Sequence, residues 1–286
     1  MTTIQKVLFP VDFSQSCNAM APFVERAAEM FSASLSLIYV LEPPTSGFEL
    51  LTRPLPEIEE NRKEVACAKL QSYLTTEFPL RDVPRLLARG DAATRIAQVA
   101  REQGFDLIVM PTHAGAFRRT LLGSTTAKVL NDADCLVMTT QHAETISPRP
   151  LEHREWVCAI GLSPDSERVL GIASRLAESV HANLTLIHAI PPAPGLPMQL
   201  DLDERLQWAE TRAAREQLKE LQTKAGSRWP AKIAIGPIKH ALIDAVRRLR
   251  ADALVIGRSS QPGSSGRLRD LTYAVVRDAP CPVVSI

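Results

Sequence analysis

The chain has 286 residues, 45% hydrophobic and 23% charged, with a formal net charge of +1; the length suits one large domain or two ordinary ones, and the even charge gives bulk electrostatics no part in recruiting nucleic acid or a membrane. Its five cysteines, Cys17, Cys67, Cys135, Cys158 and Cys281, are odd in number and widely spaced, which argues against a disulfide scaffold or a zinc site and fits a reducing cytoplasm, with Cys135 and Cys281 as small core residues in apolar runs. The start, "MTTIQKVLFPVD", lacks the pattern of a signal peptide, and no apolar run approaches the ~20 residues of a bilayer span.

In chain order, "KVLFPV" reads as a short buried strand and "NAMAPFVERAAEMF" has apolar residues at helical spacing. "SLSLIYVL" is a second strand, Glu59 to Leu74 a helix, and "VPRLLAR" a third strand. "DAATRIAQVAREQG" is an amphipathic helix with Asp91 as N-cap and Gly104 just beyond its end. "DLIVMP" is a fourth strand, "STTAKVLND" a helix and "CLVMTT" a fifth strand. The series then begins again: "VCAIGL", "LTLIHAI", "AKIAI", "ALVIG" and "PVVSI" are strands. Between the second and third of these, "DERLQWAETRAAREQLKEL" is a charged helix suited to covering one side of a sheet.

The second series is a copy of the first. "DALVIG" follows "DLIVMP", and "DAPCPV" follows "DADCLV", each at an offset of 146 residues, while "VCAIGLSPDS" follows "VLFPVDFSQS" at about 150. A period of that length means two tandem copies of one domain. The expected division is 1–144, a linker at 145–155 with two prolines and no periodicity, and 156–286. Strand–helix alternation with near-continuous apolar strands implies an α/β fold: two five-stranded parallel sheets, each covered on both faces. In such open sheets, ligands sit beyond the carboxyl ends of the strands where strand order reverses. "PVDFS" and the loop "MPTHAGAFRRTLLGST" fall there in the first copy.

Several residues in these segments have chemistry to offer. Gly123-Ser124-Thr125 opens a helix, and a glycine there lets backbone N–H groups and the helix dipole meet a phosphate; alternatively Ser124 caps the helix. Asp12 follows the first strand, where a carboxylate accepts ribose hydroxyls or closes a turn. Arg118 and Arg119 suit phosphate oxygens or form a solvated loop pair. His113 has no nucleophile or acid partner nearby in sequence, so no catalytic or metal-ligating residue is assigned.

The segments "VDFS", "ARGDAATRIAQVAREQGFDLIVM", "THAG", "LLGSTTAKVL", "SPDSERVLGIASRLAESVHANLTLIHAI" and "DAPCPVV" together resemble the universal stress protein family, twice over nearly the whole chain. The resemblance implies a Rossmann-like sandwich in each copy, pairing of the copies through their last strands, and adenine-nucleotide binding, ATP or AMP, with Mg2+ accompanying ATP. It places the nucleotide at Pro10, Val11, Asp12, Val40, Met110, Ala114, Gly115, Gly123, Ser124 and Thr125. The family's Gly-x2-Gly-x9-Gly-Ser/Thr pattern is altered here: Pro111 and Ala114 replace its first two glycines, Gly115 stands ready for the second, and eight residues separate Ala114 from Gly123. The second copy departs further, with Gly161 in place of Asp12 and Arg269-Asp270 in place of Gly123-Ser124, although Gly257 keeps the first glycine.

The resulting expectation is a cytoplasmic stress-response protein that holds one adenine nucleotide in its first copy, at most a slow hydrolase, with further homodimerisation left open and no nucleic-acid partner. A ligand-independent scaffold for partner proteins is the alternative. A fold-related ligase or nucleotidyl transferase is disfavoured, since neither a Ser-Gly-Gly-x-Asp-Ser loop nor a His-x-Gly-His motif is present.

Overall fold

The computed structural model describes residues 4–43, 55–79, 81–112, 122–140, 154–192, 200–258 and 266–286, with side chains described for all but 55, 200–204 and 266–270. Two compact units have their main bodies at Ile4–Met138 and Ile146–Ile286. The first contains β1 (Lys6–Pro10), α1 (Gln15–Phe31), β2 (Ser34–Leu41), α2 (Leu55–Ser72), β3 (Arg85–Arg89), α3 (Ala92–Glu102), β4 (Leu107–Pro111), α4 (Ser124–Asp132) and β5 (Leu136–Thr140). Its strand order is β3-β2-β1-β4-β5, with β1 parallel to both β2 and β4. The chain therefore winds outward from β1 to β3 and crosses back to β4, which puts the reversal of strand order between β1 and β4.

The second unit repeats this plan with β6 (Glu155–Ala159), α5 (Ser166–Ser179), β7 (Asn183–Ile190), α6 (Leu200–Lys224), β8 (Ala231–Ile235), α7 (Ile238–Leu249), β9 (Ala253–Ile256), α8 (Gly266–Asp278) and β10 (Val283–Ser285). Its order is β8-β7-β6-β9-β10. Consecutive residues Val7, Leu8 and Phe9 of β1 and Leu107, Ile108 and Val109 of β4 are all fully buried. Neighbouring side chains in a strand face opposite ways, so both faces of the sheet are covered.

Local chemistry sets several boundaries. Asp91 Oδ1 accepts the Thr94 N–H at 3.0 Å and starts α3; Gly104, at φ 66°, ends it in the left-handed region that glycine enters without strain. Other boundaries depart from expectation. Helix α2 spans Leu55–Ser72, not Glu59–Leu74, and Leu74 has left the helix at φ 48°. The Arg85 guanidinium donates to the carbonyls of Leu70, Tyr73, Phe78 and Val83, and so satisfies the end of that helix and the turn after it. Glu155, the last residue of the expected linker, opens β6, because its N–H donates to Asp252 Oδ2 at 2.8 Å and it registers with Asn183. Cys135 is half-buried and not a core residue, whereas Cys281 is buried.

Helix α6 buries Ala214 and Leu218 and packs on β7 and β8, so the charged segment does cover one side of its sheet. Among the described residues no helix is long and apolar enough to cross a membrane.

Candidate functional site

At the carboxyl edge of the first unit the ends of β2, β1 and β4 stand side by side. Pro10 registers with Ile38, Leu8 with Ile108, and the Val11 N–H donates to the Ile38 carbonyl at 2.9 Å. Pro10, Val11, Val40 and Met110 are buried there. Asp12 is the first exposed residue beyond β1.

Its carboxylate is held by one oxygen. Asp12 Oδ1 accepts the Ser14 N–H at 2.9 Å and the Cys17 thiol at 3.0 Å, while Oδ2 has no hydrogen-bond partner among the described residues. Cys17 can only be the donor, because burial, and next the neighbouring Asp12 charge, push its thiol up to about 12. Ser14 caps α1 by accepting the Cys17 N–H. Between them Phe13 adopts φ 61°. Its ring packs on Tyr39 at 4.5 Å and edge-on to Tyr73 at 5.0 Å, with Lys69 Nζ 4.4 Å from its centroid. Sequence reasoning missed this aromatic cluster; its only local signal was an aromatic residue in a turn, and the partners come from β2 and the segment after α2.

The start of α4 is drawn to the end of β4 by two bonds. The Gly123 N–H donates to the Thr112 carbonyl at 2.8 Å, and Thr126 Oγ1 donates to the Pro111 carbonyl at 3.0 Å. Gly123, not Ser124, is the N-cap, and without a side chain it makes no capping hydrogen bond. Ser124 is exposed and Thr125 half-buried in the first turn. Among the described residues this helix start thus presents backbone N–H groups with no side-chain acceptor, next to hydroxyl groups, which is an arrangement that favours an anion. Ala114 and Gly115, with His113, Arg118 and Arg119, lie outside the described residues. Among the described residues, no cluster of His, Cys, Asp and Glu could hold a metal ion.

The second unit is built on the same backbone with different chemistry. Leu162, at φ 53°, takes the place of Phe13, and the Ile160 N–H donates to the Ile187 carbonyl at 2.9 Å as Val11 does to Ile38. Gly161 therefore stands where Asp12 stands, without a carboxylate. Helix α8 begins at Gly266, which puts Arg269 and Asp270 inside the helix and not at its start. Gly257 has a packing reason: a Cβ there would come 2.8 Å from Val169 Cγ2. At this edge lies a cavity of about 390 Å³.

Comparison with known proteins agrees with this architecture. The model of the universal stress protein family matches residues 3–141 and again 154–286. A universal stress protein A homolog of Coxiella burnetii is 26% identical over 145 residues, 48% of this chain and 97% of that protein. The crystal structure of a universal stress protein from Archaeoglobus fulgidus superposes on the whole chain with a TM-score of 0.70 at 17% identity, covering 97% of that structure. A putative universal stress protein from Pseudomonas aeruginosa does so with a TM-score of 0.61 at 19% identity, covering 94% of that structure.

Proposed function

The chain belongs to the universal stress protein family, and on that premise we propose that its first unit binds one adenine nucleotide, ATP or AMP, in a cytoplasmic stress-response role. One juxtaposition carries the reading: among the described residues, a carboxylate with an unpartnered oxygen, Asp12 Oδ2, and a helix start without a side-chain cap, Gly123-Ser124, belong to the same edge of the sheet. The carboxylate accepts ribose hydroxyls and the helix start donates to phosphate. Val40 and Met110 supply apolar surface for the base. Mg2+ would enter with ATP on its phosphates, since the described residues offer no cluster of their own. The Cys17 thiol beside Asp12 is buried and held protonated, and the reading assigns it no catalytic part.

A ligand-independent docking role is the second reading. It is favoured by the two bonds already made to Asp12 Oδ1, which give that residue a structural task as a turn former. Mass analysis of nucleotide released on denaturing the purified chain, followed by calorimetric titration with ATP and AMP, separates the two. One nucleotide per chain supports the first; no binding at millimolar ligand supports the second.

A further inference from the structure

We propose that the cavity at the carboxyl edge of the second unit binds an uncharged, mainly apolar small molecule carrying one hydroxyl or N–H donor, which His188 Nε2 accepts. This goes beyond the nucleotide reading, which concerns the first unit only.

Size and lining come first. The cavity of about 390 Å³ falls within the roughly 300–1,000 Å³ that small-molecule sites occupy. Ile160, Val169, Leu242, Ile256 and Val275 line it, and all five are buried apolar residues. A ligand gains there by removing its own apolar surface from water.

The polar groups are few, and the Thr272 hydroxyl, which lines the cavity as well, can either donate or accept. Ser163 donates its N–H to Ser166 Oγ at 2.8 Å, and the two hydroxyls lie 3.4 Å apart. Asp165 and Arg258 both line the cavity and carry opposite charges, so neither sign of ligand is favoured overall. His188 is different. Its Nδ1 lies 2.7 Å from the Ile160 carbonyl oxygen. A carbonyl can only accept, so Nδ1 bears a proton, and in that neutral tautomer Nε2 is the acceptor. Nε2 has no partner among the described residues. The lining thus asks for one donor on an otherwise apolar body.

The same features disfavour a nucleotide. Gly161 offers no carboxylate to a ribose. Gly257 makes room for the Val169 side chain, which a Cβ at that position would meet at 2.8 Å.

The test uses the full chain and two matched probes, 2-naphthol and its methyl ether, 2-methoxynaphthalene. Both are apolar and nearly isosteric, but only the naphthol donates. One saturable naphthol site per chain is expected, with the ether bound roughly two- to tenfold more weakly, as loss of one hydrogen bond implies. His188→Phe is expected to erase the difference between the probes while leaving ether binding in place. Thr272→Trp, at a lining position, is expected to exclude both, and excess ATP to displace neither. Thermal melts followed by circular dichroism confirm that each variant folds. The proposal is overturned if neither probe saturates, if the unaltered chain binds both equally, if Thr272→Trp leaves binding unchanged, or if ATP competes with the naphthol. The comparison of the two probes on the unaltered chain decides the matter even where a variant does not fold.

Discussion

The Cys17 thiol donates to Asp12 Oδ1 across 3.0 Å, and the same oxygen takes the Ser14 N–H at 2.9 Å. Two donors on one oxygen fix the rotation of the carboxylate, and Oδ2 has no hydrogen-bond partner among the described residues. A charge-assisted hydrogen bond contributes roughly 1.5–3 kcal/mol, so Asp12→Ala is expected to weaken ATP binding about ten- to hundredfold. Asp12 is exposed, so the far-ultraviolet circular dichroism of the variant should match that of the parent. An unchanged calorimetric affinity would remove Asp12 from the site.

Buried thiols are expected to make the protein sensitive to alkali. Burial pushes Cys17, Cys158 and Cys281 up to about 12, from an ordinary 9.0. Between those values the folded chain holds protons that the unfolded chain has released, so stability falls as pH rises through that window and is complete below it. Urea midpoints measured at about pH 8 and about pH 10.5 should show the loss. Replacing Cys158 by Ala should make it shallower at the cost of some stability at the lower pH. A midpoint that does not move between these pH values would count against protonated, buried thiols.

Asp91 caps α3 through the Thr94 N–H and also meets Lys128 Nζ at 3.0 Å. Asp91→Ala should cost about 1 kcal/mol, the usual worth of an N-cap. Lys128→Ala should cost less, because the pair is about half exposed and such bridges contribute ~0–1 kcal/mol. The Thr94 N–H and then Lys128 hold the Asp91 carboxyl down at about 2, against 3.8 ordinarily. Its contribution is therefore present above about pH 4 and lost as pH falls through 2. Equal costs for the two substitutions in urea titrations would show that the ion pair, and not the cap, matters.

Gly257→Ala should destabilise the second unit by about 1–3 kcal/mol, the range for overpacking, because its Cβ would meet Val169 Cγ2 at 2.8 Å. Val169→Ala in the same chain should recover most of that loss. A double-mutant cycle by urea denaturation reads the coupling. Additive costs would mean that Gly257 is present for a reason other than this contact.

Much of this protein was determined by the sequence itself, wherever the physics is short-ranged. Capping and hydrophobic period act within a few residues, so Asp91 and Gly104 bounded α3 and "STTAKVLND" coincides with α4. The duplication was legible for the same reason, since each copy repeats its local signals in order. Tertiary structure decided what depends on distant partners. Arg85 reaches back to four carbonyls at the end of α2 and beyond, which no local pattern encodes. Phe13 finds Tyr39 and Tyr73 only because β2 lies beside β1. Gly257 keeps a family glycine in sequence, and only the fold shows that it makes room for Val169 on α5. The second-unit cavity depends on walls from strands and helices far apart in the chain. Its volume is set by how those elements pack, and packing is a property of the assembled fold.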